Sequence, residues 1–512
     1  MSQSSFFSSR AARSIALVLL FSIALAIRLY DLTDLPLDFH PTRQLLSAIK
    51  ARGLYYETQP DGISTWQLET GIRQAKLKAD VEPVVFEKLV AFTYHYTGEK
   101  FWIARIYASL FWLIGGVFLF MLVHEFVSFE GALFSTAYYL FFPYTIIAGR
   151  SFQPDPLMVM LILSFWWMFL HWTTLTLNPS PTGRGAGVRA AILAGLLGGL
   201  AIYIKFSAAF FVIGAALGLA LARFTLRDLL RNVQVWVMAL FGILPASAYL
   251  VYGIFIGGYL GSQFSGRFIP ALLLNPLNYL AWQSKASHAA GGLFIALGLL
   301  GFFLAKDKRM RIFLYGLWCA YLVYGLFFDY HIATHDYYHL PFIPIVAVSL
   351  SPFGDWFFAR LTETVSSRWV RSAMVAILLY GLFAVVWDVR NEMKALDYRP
   401  QAGMWAEIGE KLDHQKNAVA LTQDYGSRLE YWGWMTADMW PTSGDLYYAE
   451  VRGDQRSFAE LFDRTIRRKD LFLVTDFDEL NIQVDLKDAL SQYPVYAQGD
   501  GYIIYDLRQV AK

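Results

Sequence analysis

For most of its length the chain alternates long apolar runs with short polar interruptions. Runs near residues 13–30, 101–124, 130–149, 156–173, 189–205, 207–222, 233–256, 289–305, 312–329, 337–353 and 372–389 carry few charges. Each approaches the roughly 20 residues that a helix needs to cross the hydrocarbon core of a bilayer. The pattern predicts a polytopic α-helical membrane protein with about 11 spans. The first run, SIALVLLFSIALAIRLYDL, has the apolar core of a secretory leader. No small-residue cleavage site follows it, so it is expected to stay as the first span. Lys205 is the only charge between residues 190 and 222, and the stretch is expected to break there into two spans.

After residue 390 the pattern changes. Short apolar segments, DLFLVTDF (470–477) and GYIIYDL (501–507), read as strands. Between such segments lie amphipathic patches such as SFAELFDRTIRRK (457–469), which read as helices. The expected organisation is a membrane domain over residues 1–390 and a soluble α/β domain over 391–512. Within the first, residues 31–100 form a long loop with amphipathic helices.

Composition agrees with the pattern. Only 16% of residues are charged, against about a quarter in soluble domains. A net charge of +2 argues against a nucleic-acid partner. The single cysteine, Cys319, excludes an intramolecular disulfide, and within WCAYLVYGLFF it is expected to be a small buried side chain. The distribution of Lys and Arg adds an orientation. Arg10 and Arg13, Arg184 and Arg189, Arg223, Arg227 and Arg231, the cluster KDKRMR, and Arg360, Arg368 and Arg371 all fall on one side if the N-terminus is cytoplasmic. The loops 31–100 and 257–290, the short loop at 149–155, the turn 329–340 and the C-terminal segment then lie on the extracytoplasmic side. A multi-pass location in the plasma (inner) membrane is expected.

The ionisable residues outside the basic loops gather on that second side. LPLDFHPTRQLL brings Asp38, His40 and Arg43 within six residues. Leu45, Leu46, Ile49 and Leu54 after it trace an apolar face, as in a helix lying along the membrane interface; Pro41 and Asp38 are equally explained by turn and helix-start chemistry. VEPVVFEKLV places Glu82 and Pro83 ahead of a helix, where an acid favours the positive end of the dipole. In GRSFQPDPLMV, Asp155 before Pro156 has the form of an N-cap. Arg150 and Lys205 can snorkel or meet a lipid phosphate. In THDYYHLPFIP, His335 and His339 are four apart, at the spacing of two ligands on one helical face, beside Tyr337 and Tyr338. No HExxH pattern and no Gly-rich phosphate loop accompany them.

The order of these pieces resembles the GT-C fold polyprenyl-phosphate-dependent glycosyltransferases of the dolichyl-phosphate-mannose–protein mannosyltransferase and aminoarabinose-transferase type. The resemblance covers roughly residues 10–390. It implies transfer of a sugar from a polyprenyl-phosphate carrier to a lipid, glycan or protein acceptor at the extracytoplasmic membrane surface, with no nucleotide. It makes Asp38 and Asp155 the catalytic acids and assigns His40, Arg43, Glu82, Arg150, Lys205, His335, Tyr337 and Tyr338 to substrate binding. A divalent metal is compatible with that chemistry, with Glu82, Asp155 and His335 as candidate ligands. Two departures stand out. Many relatives carry an aspartate just beyond an RQ pair, whereas here Arg43-Gln44 is followed by Leu45-Leu46-Ser47, which leaves Asp38 and His40 both open as the base. Pro83 replaces the lysine that follows the acid in the aminoarabinose branch. The competing reading is a flippase or transporter of lipid-linked sugars, which would place charges deep in several spans.

Overall fold

A computed structural model describes residues 7, 9–177, 183–258, 260–261, 268–453 and 456–509. The side chains of Arg184 and Arg368, counted above among the basic loops, lie outside the described residues, as do positions 259 and 262–267 of the loop 257–290. Among the described residues, eight helices are long and apolar enough to cross a membrane, or nine if one bent pair counts as a single span. Three of the runs behind the expectation of about 11 are broken or bent into shorter helices. Pro143 ends the third run as the 13-residue helix Phe129–Phe141, followed by a six-residue helix Pro143–Ala148. Lys205 falls between the helices Gly183–Ile204 and Ala208–Leu221, so the expected break is present, but the second piece has only 14 residues. Gly291, with φ +77°, turns the chain by 90° between Pro276–Ala290 and Gly292–Leu304.

The chain divides into two compact units. The first comprises Met1–Leu32, Asp80–Phe86 and Trp102–Ala395, and the second Thr33–Ala79, Glu87–Phe101 and Leu396–Lys512. The residues of the long loop thus divide between them, and most cluster with the C-terminal segment.

In the first unit the helices pack through small residues. A Cβ on Gly199 would lie 2.2 Å from the Phe241 carbonyl oxygen, and one on Gly316 would lie 2.3 Å from that of Gly214. Such backbone approach is how helices associate where lipid removes the hydrophobic drive between them. Val233, Trp236, Leu240 and Leu244 form an exposed apolar stripe along one helix, as a lipid-facing surface requires. Cys319 is likewise exposed on the helix Lys308–Phe327, correcting the expected burial; its apolar surroundings are the outer face of a span.

In the second unit, a five-stranded sheet has the order β2-β1-β3-β5-β4. The strands are β1 Ala418–Leu421, β2 Asp438–Met439, β3 Leu471–Val474, β4 Val495–Gly499 and β5 Tyr502–Asp506. β2, β1 and β3 run parallel, while β5 is antiparallel to β3 and β4. Both faces are covered, so every residue of β1 and β3 is buried. Ala418, Ala420, Leu471 and Leu473 meet Trp405 and Leu429 on one side; Val419, Leu421, Phe472 and Val474 meet Trp440 and Phe462 on the other. The amphipathic patch at 457–469 forms the helix Phe458–Ile466, opened by a Ser457–Glu460 capping box.

The helix Pro41–Tyr56, expected to lie along the membrane interface, is covered on more than its apolar stripe. Gln44, Lys50 and Arg52 on its polar side are buried as well. Arg52 explains how: its guanidinium lies 3.5 Å from the Tyr431 ring centre and 4.3 Å from that of Trp434. It also donates to Glu99 Oε1 (2.9 Å) and to the Tyr431 carbonyl (2.6 Å). A charge is accommodated in the interior when each donor finds such a partner.

Candidate active site

Three interruptions of helical order position the polar residues of the first unit. The chain leaves the short helix Pro143–Ala148 at Gly149 and re-enters at Asp155, the first residue of the helix Asp155–Leu177. The break at Lys205 frees that side chain from a helical surface. The short helix Asp329–Thr334 stops at His335, whose extended backbone leads into a single 3-10 turn, Asp336–His339.

These interruptions bring Asp155, Lys205, Tyr337 and Tyr338 together. Lys205 Nζ lies 2.8 Å from Asp155 Oδ1, with the two side chains 10% and 1% exposed. The same ammonium lies 5.1 Å from the ring centre of Tyr337 and 5.4 Å from that of Tyr338, within the range of cation–π attraction. Asp155 Oδ2 is buried and has no hydrogen-bond partner among the described residues. Asp155 is therefore placed at a helix start, as its position before Pro156 suggested, but its carboxylate faces Lys205 and keeps one oxygen open as an acceptor.

Around this pair lies a further polar set. His288 Nε2 stands 3.5 Å from Asp336 Oδ2, and the His288 ring meets Tyr144 edge-on at 5.4 Å. His335 stacks on His331 at 5.7 Å and meets Tyr337 edge-on at 5.6 Å. Tyr324 donates to the carbonyl of Tyr338 at 3.1 Å, which fixes the turn that carries both tyrosines. Sequence reasoning left Tyr144 and His288 out of the site: Tyr144 read as mid-span in FFPYTIIA, and only the break at Pro143 marks it as something else.

Other assignments change. Arg150 is buried and donates to the carbonyls of Tyr30 (2.6 Å) and Arg28 (3.5 Å). Arg28 itself donates to the carbonyls of Leu140 and Thr145, and Arg105 to those of Asp31 and Leu32. Carbonyls at helix ends lack intrahelical donors, and these arginines supply them. His335 and His339 do not share a helical face. His339 Nδ1 accepts from the Tyr321 hydroxyl (2.8 Å) and its Nε2 donates to the Ile332 carbonyl (2.9 Å), so neither nitrogen is open to a metal. Among the described residues no group of three or more His, Cys, Asp or Glu could hold a metal ion, and the candidate ligands Glu82, Asp155 and His335 do not assemble into one. Glu82 is half-buried in the segment Asp80–Phe86, ahead of the helix Val85–Thr97. Phe86, packed edge-on against Phe152 at 5.0 Å, ties that segment to the loop leading to Asp155.

Asp38, His40 and Arg43 belong to the second unit. His40 has a left-handed backbone (φ 40°) at the start of the helix Pro41–Tyr56, and its ring meets Phe39 edge-on. Asp38 is half-buried and accepts from Gln44 Nε2 at 3.2 Å; the same amide donates to the Phe39 carbonyl at 2.7 Å. Gln44 thus helps to orient Asp38. Arg43, in the first turn, is partly exposed.

The membrane-length helices make this a multi-pass membrane protein, and its likeness to solved structures gives it the GT-C fold. The chain is similar over 96% of its length to ArnT from Cupriavidus metallidurans in the apo state, covering 98% of that chain at 17% identity and a TM-score of 0.57. It is similar to the same protein bound to undecaprenyl phosphate at 16% identity and a TM-score of 0.54, covering 97% of this chain and 99% of that one. The archaeal oligosaccharyltransferase AglB from Archaeoglobus fulgidus, in complex with an inhibitory peptide and a dolichol-phosphate, matches 98% of this chain and 74% of its own at 12% identity and a TM-score of 0.53. Residues 81–252 match the sequence profile of the dolichyl-phosphate-mannose-protein mannosyltransferase family. No curated protein sequence matches the chain.

Proposed function

We propose that this protein is an integral-membrane glycosyltransferase that moves a sugar from a polyprenyl-phosphate carrier to an acceptor hydroxyl on the extracytoplasmic face. The observation that carries the reading is the Asp155–Lys205 pair: a buried cation against a carboxylate with one oxygen open, flanked by two tyrosine rings. The fold and the undecaprenyl and dolichol phosphates named for ArnT and AglB support the carrier class. In the reaction the acceptor oxygen bonds to the anomeric carbon as the bond from that carbon to the phosphate breaks. The acceptor proton passes to a carboxylate, and the lipid phosphate leaves with the bonding electrons.

Lys205 serves the phosphate, where negative charge develops as the bond to the sugar breaks. Asp155 orients Lys205 and offers its open oxygen to a substrate hydroxyl. Tyr337 and Tyr338 supply flat faces and hydroxyls beside the cation. Asp38, oriented by Gln44, is the base toward the acceptor, with His40 next to it. With the 11 expected crossings, the distribution of Lys and Arg favours a cytoplasmic N-terminus and a C-terminal segment outside.

Membranes supplied with radiolabelled polyprenyl-phosphate sugars test the reading. Wild type should transfer label to an acceptor, and Asp155→Asn and Asp38→Asn should each lose most of that transfer. Undiminished transfer in both variants rejects the site, and lipid scrambling without transfer rejects the reaction.

A further inference from the structure

The second unit holds a cavity of about 600 Å³ between the helix Thr65–Leu77 and the turn at residues 413–416. We propose that it is a saccharide-binding site for a neutral oligosaccharide, separate from the sugar-transfer chemistry.

Its platform is Trp66. The indole is 45% exposed, yet it is held by Trp434, edge-on at 5.8 Å, and by His414 at 5.2 Å. An exposed tryptophan anchored in this way offers an apolar face to the C–H side of a sugar ring at little cost in side-chain freedom.

Polar groups surround that face. Glu69 and Arg73, four residues apart on the helix, both line the cavity. Among the described residues neither is engaged in an ion pair or a side-chain hydrogen bond. Asp413 and His414 are consecutive non-glycine residues with left-handed backbone (φ 49° and 52°), and both side chains line the cavity. His414 Nδ1 donates to the Gly433 carbonyl at 2.8 Å, which leaves Nε2 of the neutral ring as an acceptor. Lys416 is held by Asp413 at 3.0 Å.

The balance of these groups selects the ligand. Glu69 and Asp413 offset Arg73 and Lys416, so the cavity favours neither an anion nor a cation. Planar hydrogen-bonding groups around an aromatic face suit a ligand with many hydroxyls and one apolar surface. A neighbouring depression of about 420 Å³ shares Glu69, Arg73 and Leu77, so the surface extends past the main cavity. That length suits an oligosaccharide better than a single sugar.

The test uses the full-length protein in nanodiscs, without any lipid-linked donor. Saturation-transfer NMR is recorded with maltotriose, cellotriose and chitotriose. At least one should receive saturation from the protein. Trp66→Ala should weaken that binding at least tenfold, Trp66→Phe should retain most of it, and Glu69→Gln and Arg73→Gln should weaken it several-fold. Trp369→Ala, at an exposed position on a span, should leave it unchanged. Absence of saturation for all three sugars overturns the site, as does full binding by a Trp66→Ala protein with an unchanged melting temperature. If Trp66→Ala does not fold, unchanged affinity in both Glu69→Gln and Arg73→Gln overturns it equally. Because no donor is present, either failure leaves the transfer reaction standing.

Discussion

Lys205 Nζ stands 2.8 Å from one oxygen of Asp155 while the other oxygen of that carboxylate is buried without a hydrogen-bond partner among the described residues. A buried ion pair that lacks one of its hydrogen bonds is a poor device for stability, because desolvation of both charges offsets their attraction. The arrangement makes sense as a site in which the open oxygen and the cation meet a substrate.

The pair therefore predicts an uneven set of variants. Lys205→Met alone leaves a buried, unpaired carboxylate and should destabilise the protein by about 3–5 kcal/mol. The double variant Asp155→Asn/Lys205→Met should recover much of that loss while remaining inactive. Thermal unfolding in detergent, read beside transfer activity, separates the two effects. A double variant as unstable as the single one would show that the pair contributes net stability.

Asp38 and His40 make opposite kinetic predictions. If Asp38 is the base, Asp38→Asn should lower turnover by roughly 10²–10⁴-fold, and His40→Gln should leave it within a few-fold of wild type. Gln44→Ala, which removes the amide that orients Asp38, should fall between them. The measurement is turnover at saturating donor. A collapse in His40→Gln with Asp38→Asn active would move the base to the imidazole.

Much of this was legible in the residues. The apolar runs gave the membrane class, and the break at Lys205 followed from one charge in a stretch otherwise free of them. DLFLVTDF and GYIIYDL are β3 and β5 because buried strands in this sheet are short apolar runs. What composition could not give was the length of helix that survives a punctuating residue. Pro143 and Gly291 each shorten an apolar run to 13 residues, although hydropathy averages across them. The Asp155–Lys205 pair joins two charges that stand out in apolar sequence. Arg150 shares that signature and holds the carbonyls of Tyr30 and Arg28, contacts that its sequence position did not show. Arg52 sits on what reads as the solvent side of a helical stripe, and only the aromatic rings that cover it explain its burial.

His339 gives the fold a pH dependence. Burial lowers its pKa to about 4, from an ordinary value of 6.5. A depressed imidazole stays neutral in the folded state while the unfolded chain takes up a proton. The stability it allows is complete above pH 6.5 and is lost as pH falls toward 4. Between about pH 7 and pH 4 the loss should be on the order of 3 kcal/mol. Melting temperature against pH for wild type and His339→Gln checks this. The glutamine variant should start less stable at neutral pH and show a shallower decline on acidification; parallel curves would exclude His339 as the source.

Arg52 offers a test of how the second unit coheres. Its guanidinium stacks on Tyr431 and Trp434 and donates to Glu99 and to the Tyr431 carbonyl, while Glu99 also accepts from Tyr56 at 3.0 Å. A lysine keeps the charge but has no planar fork to satisfy two acceptors while lying flat on a ring. Arg52→Lys should therefore be nearly as damaging as Arg52→Ala, for which breaking a buried pair predicts about 3–5 kcal/mol. Because the arginine joins the helix Pro41–Tyr56 to the segment around Tyr431, loss should appear first as protease cleavage within residues 396–509. The spans should melt later in the same preparation. Equal resistance of Arg52→Lys and wild type to trypsin would mean that charge alone, rather than the fork and its stacking, holds these elements together.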